Sequence, residues 1–308
     1  MSKVSLMPFE KTIVWIQAAR LHTLPLSVSG IVVGNALCVQ NADFSWLLFI
    51  LMLFTAIAFQ VVSNLANDYG DGVNGIDNSN RLGPKRMLQA GLLNRKALKK
   101  GIICVAIVAL ILSTILIKIA FGSESWFYFL IFFILAVLSI WSAISYTVGE
   151  RPYGYRGLGD LFVFIFFGLV SVLGSYFLQL KVFSLTAILM ALVIGFLSVS
   201  VLNLNNMRDL ENDTEGGKRT LAVILGALNA KYYHYSLILS AGGILFVFFI
   251  QQPPFFYWFV LIGLIPLAIH LRTVINNKNP KSLDPELKNV ALTTFFLSIL
   301  IFITFSLG

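Results

Sequence analysis

Charge is scarce in this chain. Of its 308 residues 12% are charged and 58% are hydrophobic, and the mean hydropathy is +0.86. That balance excludes a soluble domain with a mixed charged surface. Cysteine is nearly absent: Cys38 lies near the outer end of the first apolar run and Cys104 near the inner end of the third, so no disulfide is expected. Alternating short strands are also missing, which excludes a transmembrane barrel. The first 23 residues are interrupted by polar and charged positions and lack the apolar core of a cleavable signal. No linker or shift in composition marks a second domain, and residues 1–308 are expected to form one integral-membrane domain.

What the chain does have is long apolar runs. A spanning helix needs roughly 20 mostly apolar residues. Nine runs qualify, at about 24 to 40, 46 to 67, 101 to 121, 126 to 146, 160 to 180, 184 to 206, 235 to 251, 255 to 275 and 288 to 307. The expected fold is therefore all-α, a polytopic membrane protein with about nine transmembrane helices. Residues 10 to 20, EKTIVWIQAAR, read as an interfacial helix anchored by Trp15.

Topology follows from the basic residues. With the N-terminus in the cytoplasm, every Lys and Arg of the 22 except Lys118 and Lys181 falls on the cytoplasmic side, as the positive-inside rule requires. The C-terminus then lies on the opposite side of the cytoplasmic (inner) membrane. This bias also accounts for most of the net charge of +8, so nucleic acid is not an expected partner. Trp46, Trp126 and Trp258 fall at the outer ends of their runs, where an aromatic belt meets the lipid bilayer.

Against this apolar background two acidic clusters stand out. One reads NLANDYGDGVNGID from Asn64 to Asp77, and the other NLNNMRDLENDTEGGKRT from Asn203 to Thr220. Each sits where a long apolar run gives way to a long inner loop. Asn64 and Asp68 are four apart, as are Asn205 and Asp209, and both clusters are followed by basic pairs, Lys85 and Arg86 in one case, Lys218 and Arg219 in the other. The echo suggests two pseudo-repeated four-helix halves plus a ninth helix, with a shared site between the halves.

On a continuous helix Asn64, Asp68 and Asp71 share one face, and Asn205, Asp209 and Asp213 share another. Asp77 follows Gly70, Gly72 and Gly75, which predict a helix break before it. An isolated aspartate at a helix end commonly caps or solvates it. Two matched clusters near a bilayer imply a joint task. Mg²⁺ takes hard oxygen ligands and is usually held by one or two carboxylates together with substrate phosphates. Two such faces would hold metal against a diphosphate whose remaining charge Lys85, Arg86, Lys218 and Arg219 would neutralise.

These motifs resemble the two aspartate-rich motifs of the UbiA superfamily of intramembrane prenyltransferases. The likeness covers almost the whole chain and is greatest to the menaquinone-pathway branch. It is carried by RLHTLPLSVSG from Arg20, the first cluster with RLGPKR from Arg81, YGYRGLGDLFVFIFFG from Tyr153, and NNMRDLENDTEGGKRTLA from Asn205. Two positions depart from the superfamily's usual pattern: Leu21 stands where Pro is usual, and Asp160 where Glu is common.

The resemblance implies nine helices and transfer of a polyprenyl chain from polyprenyl diphosphate to an aromatic acceptor, 1,4-dihydroxy-2-naphthoate in that branch. Carboxylate loss then gives demethylmenaquinone. It implies Mg²⁺ on Asp68, Asp71, Asp209 and Asp213, with Asp77 in a supporting place. Tyr146 is a candidate to stabilise an allylic cation, and Arg20, Arg156 and Arg208 are candidates for the acceptor carboxylate. Gly157 and Gly159 read as a turn into the fifth helix. His234 and His270 lack metal-site spacing and read as structural. Other acceptors (4-hydroxybenzoate, homogentisate, haem or a chlorophyll precursor) and a secondary transporter for an anionic substrate are the competing readings.

Overall fold

A computed structural model of the chain describes residues 8–77, 82–122 and 125–308. Arg81, which opens the RLGPKR segment, lies outside the described residues. The element order is α1 (Pro8–Ala19), α2 (Leu24–Ala36), α3 (Trp46–Val73), α4 (Arg95–Phe121), α5 (Trp126–Ser145), α6 (Gly159–Val163), a π-helical segment (Phe164–Val170) and α7 (Ser171–Leu180). There follow α8 (Leu185–Arg208), α9 (Leu210–Glu215), α10 (Leu221–Ile250), α11 (Leu264–Asn276) and α12 (Asp284–Leu307). Among the described residues there is no strand, and the fold is all-α.

The helices are apolar on their buried and their exposed faces alike. Along α4, Ile103, Ile107, Ile111, Ile115 and Ile119 are exposed at four-residue spacing, while Leu98, Ala109, Leu116 and Ile117 are buried. One stripe faces the bundle and the other would face lipid, where an exposed isoleucine costs nothing. Side-chain caps start three of the long helices: Ser45 accepts from the Leu48 N–H, Asn94 from Ala97 and Thr220 from Val223.

Eight helical segments among the described residues are long and apolar enough to cross a membrane. The ninth expected span, the first run at 24 to 40, is not confirmed by helix length: there α2 has 13 residues and ends in turns through Gln40. At 1.5 Å per residue it rises about 20 Å, short of a hydrocarbon core of about 30 Å. The reason is its place in the bundle. Nine of its 13 residues are buried, and it packs against α3, α7, α8 and α12, so its length is set by protein neighbours rather than by lipid thickness.

Two polar ties mark the ends of this short crossing. Thr23 Oγ1 accepts from Asn64 Nδ2 at 2.9 Å. At the other end Gln179 donates to Asn35 Oδ1 at 2.8 Å and to the Ser45 carbonyl at 3.0 Å, while its own Oε1 accepts from the Ser45 N–H. The Gln179 amide thereby satisfies both backbone groups of Ser45, which caps α3, while bonding Asn35 of α2.

Of residues 10 to 20, those up to Ala19 are helical and Arg20 is a left-handed turn, and Trp15 is not a free anchor. Its ring lies against Gly101 of α4, while Val14 and Ala18 are buried with Leu65 and Leu98. The fifth long run is interrupted at Phe164–Val170, where the backbone widens into a π-helix. There Gly168 lies against Gly195 of α8 so closely that a Cβ would stand 2.6 Å from the Gly195 Cα.

Helices α2 and α7 meet through small residues. A Cβ on Gly34 would lie 2.0 Å from Ser175 Oγ and 2.5 Å from the Val172 carbonyl oxygen. Gly34→Val should therefore destabilise the protein by about 1–3 kcal/mol, read as a lower unfolding temperature in detergent. An unchanged temperature would show that the two helices do not make this contact.

Candidate active site

The first cluster is built on a helix that does not stop at the expected membrane border. Because α3 continues to Val73, Asn64, Asp68 and Asp71 share one face as the spacing predicts. The three side chains have different partners. Asn64 donates to the Ala19 carbonyl at 2.8 Å as well as to Thr23, and accepts from Gln60 Nε2 at 3.1 Å. It thereby holds the connection between α1 and α2, where Arg20 adopts a left-handed φ of 51°. Asp68 accepts from the Met87 and Leu88 N–H groups at 3.0 and 3.2 Å. Those bonds fix the turn that presents Arg86.

Asp71 is the hub. It accepts from Tyr155 Oη at 2.5 Å, pairs with Arg86 Nη1 at 2.6 Å and faces Lys218 Nζ at 3.7 Å. The chain then turns at Gly75, φ 77°, so that the Ile76 and Asp77 N–H groups both bond back to the Asp71 carbonyl. This fold-back returns Asp77 to the cluster, its carboxylate fully buried and 3.4 Å from Arg86 Nε. Arg86 also donates to the Asn67 carbonyl.

The second cluster forms across a joint. Helix α8 ends at Arg208 and α9 begins at Leu210, with Asp209 between them. Hydrogen bonds from the Asp209 N–H to the Asn205 carbonyl and from the Asp213 N–H to the Asp209 carbonyl carry the four-residue pattern through. Arg208 grips Asp209 with Nε at 3.0 Å and Nη2 at 2.6 Å, and also reaches Asn205 Oδ1 at 2.8 Å and Asp284 Oδ1 at 2.5 Å. Lys218 lies 3.9 Å from Asp213.

Lys218 also joins the clusters, standing between Asp71 and Asp213 with its Nζ 5.3 Å from the centre of the Tyr155 ring. A second tie runs from Asn212 Nδ2 to the Ile76 carbonyl at 3.1 Å. A third joins the Arg219 N–H to the Tyr155 carbonyl at 3.2 Å.

Protonation states follow from burial and charge. Tyr155 is pushed well above the ordinary phenol value by burial and by the Asp71 carboxylate, so it stays a neutral donor. Burial alone raises Tyr153 to about 12. Burial works to neutralise Arg86, but Asp71, Asp77 and Asp68 outweigh it and hold the guanidinium charged.

A cavity of about 410 Å³ opens from this cluster into the bundle. Its polar end carries Arg20, Asn67, Asp71, Arg86, Asn205 and Lys218, and its far end is lined by Ile31, Met52, Ile117, Phe132 and Leu178. Between them is an aromatic wall: Tyr146 meets Tyr153 edge-on at 5.5 Å, and Tyr153 stacks on Phe162 at 4.0 Å. The Tyr146 ring lies against Gly154 and Gly159, where a Cβ would come within 2.7 and 3.0 Å of it.

The expected basic pairs split. Arg86 and Lys218 are buried in the cluster, whereas Lys85 and Arg219 are exposed. Adjacent residues in a turn point different ways, so one member of each pair enters. The three acceptor candidates divide as well: Arg20 lines the cavity, Arg156 is exposed, and Arg208 is buried between Asp209 and Asp284. His234 and His270 bond to each other at 2.8 Å, and His270 also bonds to Glu286; none of the three lines the cavity.

Sequence reasoning missed Tyr155, Asn212, Gln60 and Asp284. Gln60 stands four before Asn64 and was readable from helical spacing. Asp284 is 76 positions from Arg208 and carried no local signal.

The donor set suits a divalent cation. Asp68, Asp71, Asp77, Asp209 and Asp213 are five buried carboxylates gathered beside Arg86, Arg208 and Lys218. Among the described residues no three of His, Cys, Asp and Glu close into a protein-only cage. A site completed by water and phosphate oxygens is what Mg²⁺ prefers.

Residues 27–303 match the model of the UbiA prenyltransferase family. The chain is 39% identical to a 1,4-dihydroxy-2-naphthoate octaprenyltransferase of Escherichia coli (strain K12), covering 94% of this chain and 95% of the relative. It is 40% identical to the protein of that name from Haemophilus influenzae, covering 97% and 96%. In fold it is similar to a UbiA homolog from Archaeoglobus fulgidus bound to DMAPP and Mg²⁺, with a TM-score of 0.68 at 13% identity over 96% of this chain and 99% of that one. A multi-pass membrane protein with two acidic clusters joined at the mouth of an apolar cavity, this chain belongs to the UbiA prenyltransferase family.

Proposed function

We propose that this protein transfers a polyprenyl chain from polyprenyl diphosphate to 1,4-dihydroxy-2-naphthoate. The observation that carries the reading is the convergence of both aspartate clusters on Lys218, at the polar end of a cavity whose far end is apolar. Near-full-length identity of 39 and 40% to proteins named for that acceptor supports the choice of substrate. The whole chain acts as one catalytic domain.

Asp68, Asp71, Asp209 and Asp213 hold Mg²⁺, with Asp77 supporting them through Arg86. When bound, Mg²⁺ supplies Lewis-acid stabilisation of the departing diphosphate. Arg86 and Lys218 are the protein's own contribution to that charge, since both line the cavity and both are positively charged and buried. Tyr155 keeps its proton and holds Asp71 in place.

As the prenyl C–O bond breaks, positive charge develops on the allylic carbon. The π-faces of Tyr146, Tyr153 and Phe162 stabilise it without supplying a strong nucleophile. The electron-rich naphthoate ring forms the new C–C bond at the allylic carbon. Loss of CO₂ leaves its electron pair in the ring, so demethylmenaquinone is formed at its hydroquinone level and no oxidant is consumed.

Arg20 is assigned the acceptor carboxylate because it alone of the three candidates lines the cavity. Asn64 and Thr23 hold the backbone on either side of it. The apolar far end receives the prenyl tail. The site faces the cytoplasm, with the N-terminus on that side of the cytoplasmic membrane and the C-terminus across it, as the distribution of Lys and Arg requires.

Purified protein in detergent, given a prenyl diphosphate, should prenylate 1,4-dihydroxy-2-naphthoate in preference to 4-hydroxybenzoate or homogentisate, and chelation of Mg²⁺ should stop turnover. Preference for another acceptor would overturn the substrate assignment. Asp71→Asn should lower kcat by about 10²–10³-fold while the protein remains inserted and folded; activity near wild type would remove Asp71 from the site. Tyr155→Phe removes one charge-assisted hydrogen bond and should lower kcat/KM by about tenfold.

A further inference from the structure

Arg208 holds two carboxylates in different surroundings. Asp209 is buried at 5% side-chain exposure, whereas Asp284 is 47% exposed. Asp209 belongs to the second cluster, while Asp284 opens α12, 76 positions beyond Arg208. The guanidinium uses Nε and Nη2 on Asp209 and Nη1 on Asp284, so the two bonds leave from different nitrogens and are independent. A fourth bond, Nη2 to Asn205 Oδ1, fixes the side chain from α8 itself.

This geometry bears on how the site accepts a cation. In the structure both Asp209 oxygens are engaged by Arg208. A divalent cation at Asp209 competes with that guanidinium for the carboxylate's lone pairs, and a buried guanidinium without an anion is strongly unfavourable.

We propose that Asp284 is a positioning residue that retains Arg208 when Asp209 passes to the metal. Its carboxylate keeps the guanidinium paired in both states, so Asp209 can exchange partners without leaving an uncompensated buried charge. The inference rests on the assignment of Asp209 as a metal ligand and goes beyond it. It gives the first turn of α12, which the two acidic motifs do not include, a part in setting metal affinity.

Glu286 provides the internal comparison. It lies two residues away on the same turn, is also acidic, and bonds His270 and Asn289 rather than Arg208. A general effect of negative charge on this helix would involve both acids, whereas retention of Arg208 involves only Asp284.

The test is titration of detergent-solubilised full-length protein with Mn²⁺ alone, free Mn²⁺ being read by its electron paramagnetic resonance signal. Asp284→Asn should weaken Mn²⁺ binding by roughly three- to tenfold, the range for a charge-assisted bond to a half-exposed carboxylate. Asp284→Ser, which keeps a helix-starting residue without the charge, should do the same, and Asp284→Glu should restore binding. Glu286→Gln should leave Mn²⁺ affinity at the wild-type value. In an Arg208→Gln background, Asp284→Asn should have no further effect.

Wild-type affinity in both neutral Asp284 variants would overturn the proposal while leaving the metal site intact. An undiminished effect in the Arg208→Gln background would also overturn it, by showing that Asp284 acts on the metal directly. Absence of Mn²⁺ binding to the wild-type protein would overturn the metal assignment and this inference together.

Discussion

The site depends on one buried carboxylate. Asp71 stands at the end of a 28-residue helix and is shared by Arg86, Lys218 and Tyr155. Each partner comes from a different stretch of chain: the turn after the first cluster, the loop after the second, and the link between α5 and α6. Removing the charge would leave two buried cations short of an anion, and breaking one partner of such a pair typically costs about 3–5 kcal/mol. The same arrangement brings the two halves of the chain together at the cavity mouth.

That arrangement explains why the acids can be buried at all. Carboxylates placed in a low-dielectric bundle must be paired or hydrogen-bonded. Here five aspartates gather with Arg86, Arg208 and Lys218 beside an apolar cavity. Such a site suits the divalent ion and the anionic substrate of the proposed reaction. Arg86 and Lys218 hold the carboxylates apart in the ligand-free protein, and the same cations face the diphosphate in the proposed complex. The glycines support this by shape: Gly75 reverses the chain so that Asp77 returns, and Gly154 and Gly159 leave room for the Tyr146 ring.

Much of the fold was readable from apolar runs, because a run long enough to span has few alternatives. The exception, α2, shows the limit of that reading. Hydropathy measures what a segment dissolves in, whereas the end of a helix buried on all sides is set by contacts such as Gly34 with Ser175 and Asn35 with Gln179. The face carrying Asn64, Asp68 and Asp71 was readable from spacing, since α3 continues through it. Which member of each basic pair turns inward was not, because Lys85 and Arg86 differ in orientation rather than chemistry. Asp77 was expected beyond a helix break, and it is; the fold-back through the Asp71 carbonyl returns it to Arg86, a tertiary event with no local signature. Tyr155 lay within a quoted motif, yet its bond to Asp71 joins positions 84 apart.

The central claim is that the two clusters form one site in which metal and diphosphate complete each other's coordination. Its most direct test is the unfolding temperature of the detergent-solubilised protein with Mg²⁺ alone, with inorganic diphosphate alone, and with both. If metal and phosphate complete each other's coordination, the shift with both exceeds the sum of the separate shifts. Equal additive shifts, or no shift with both present, would contradict the account.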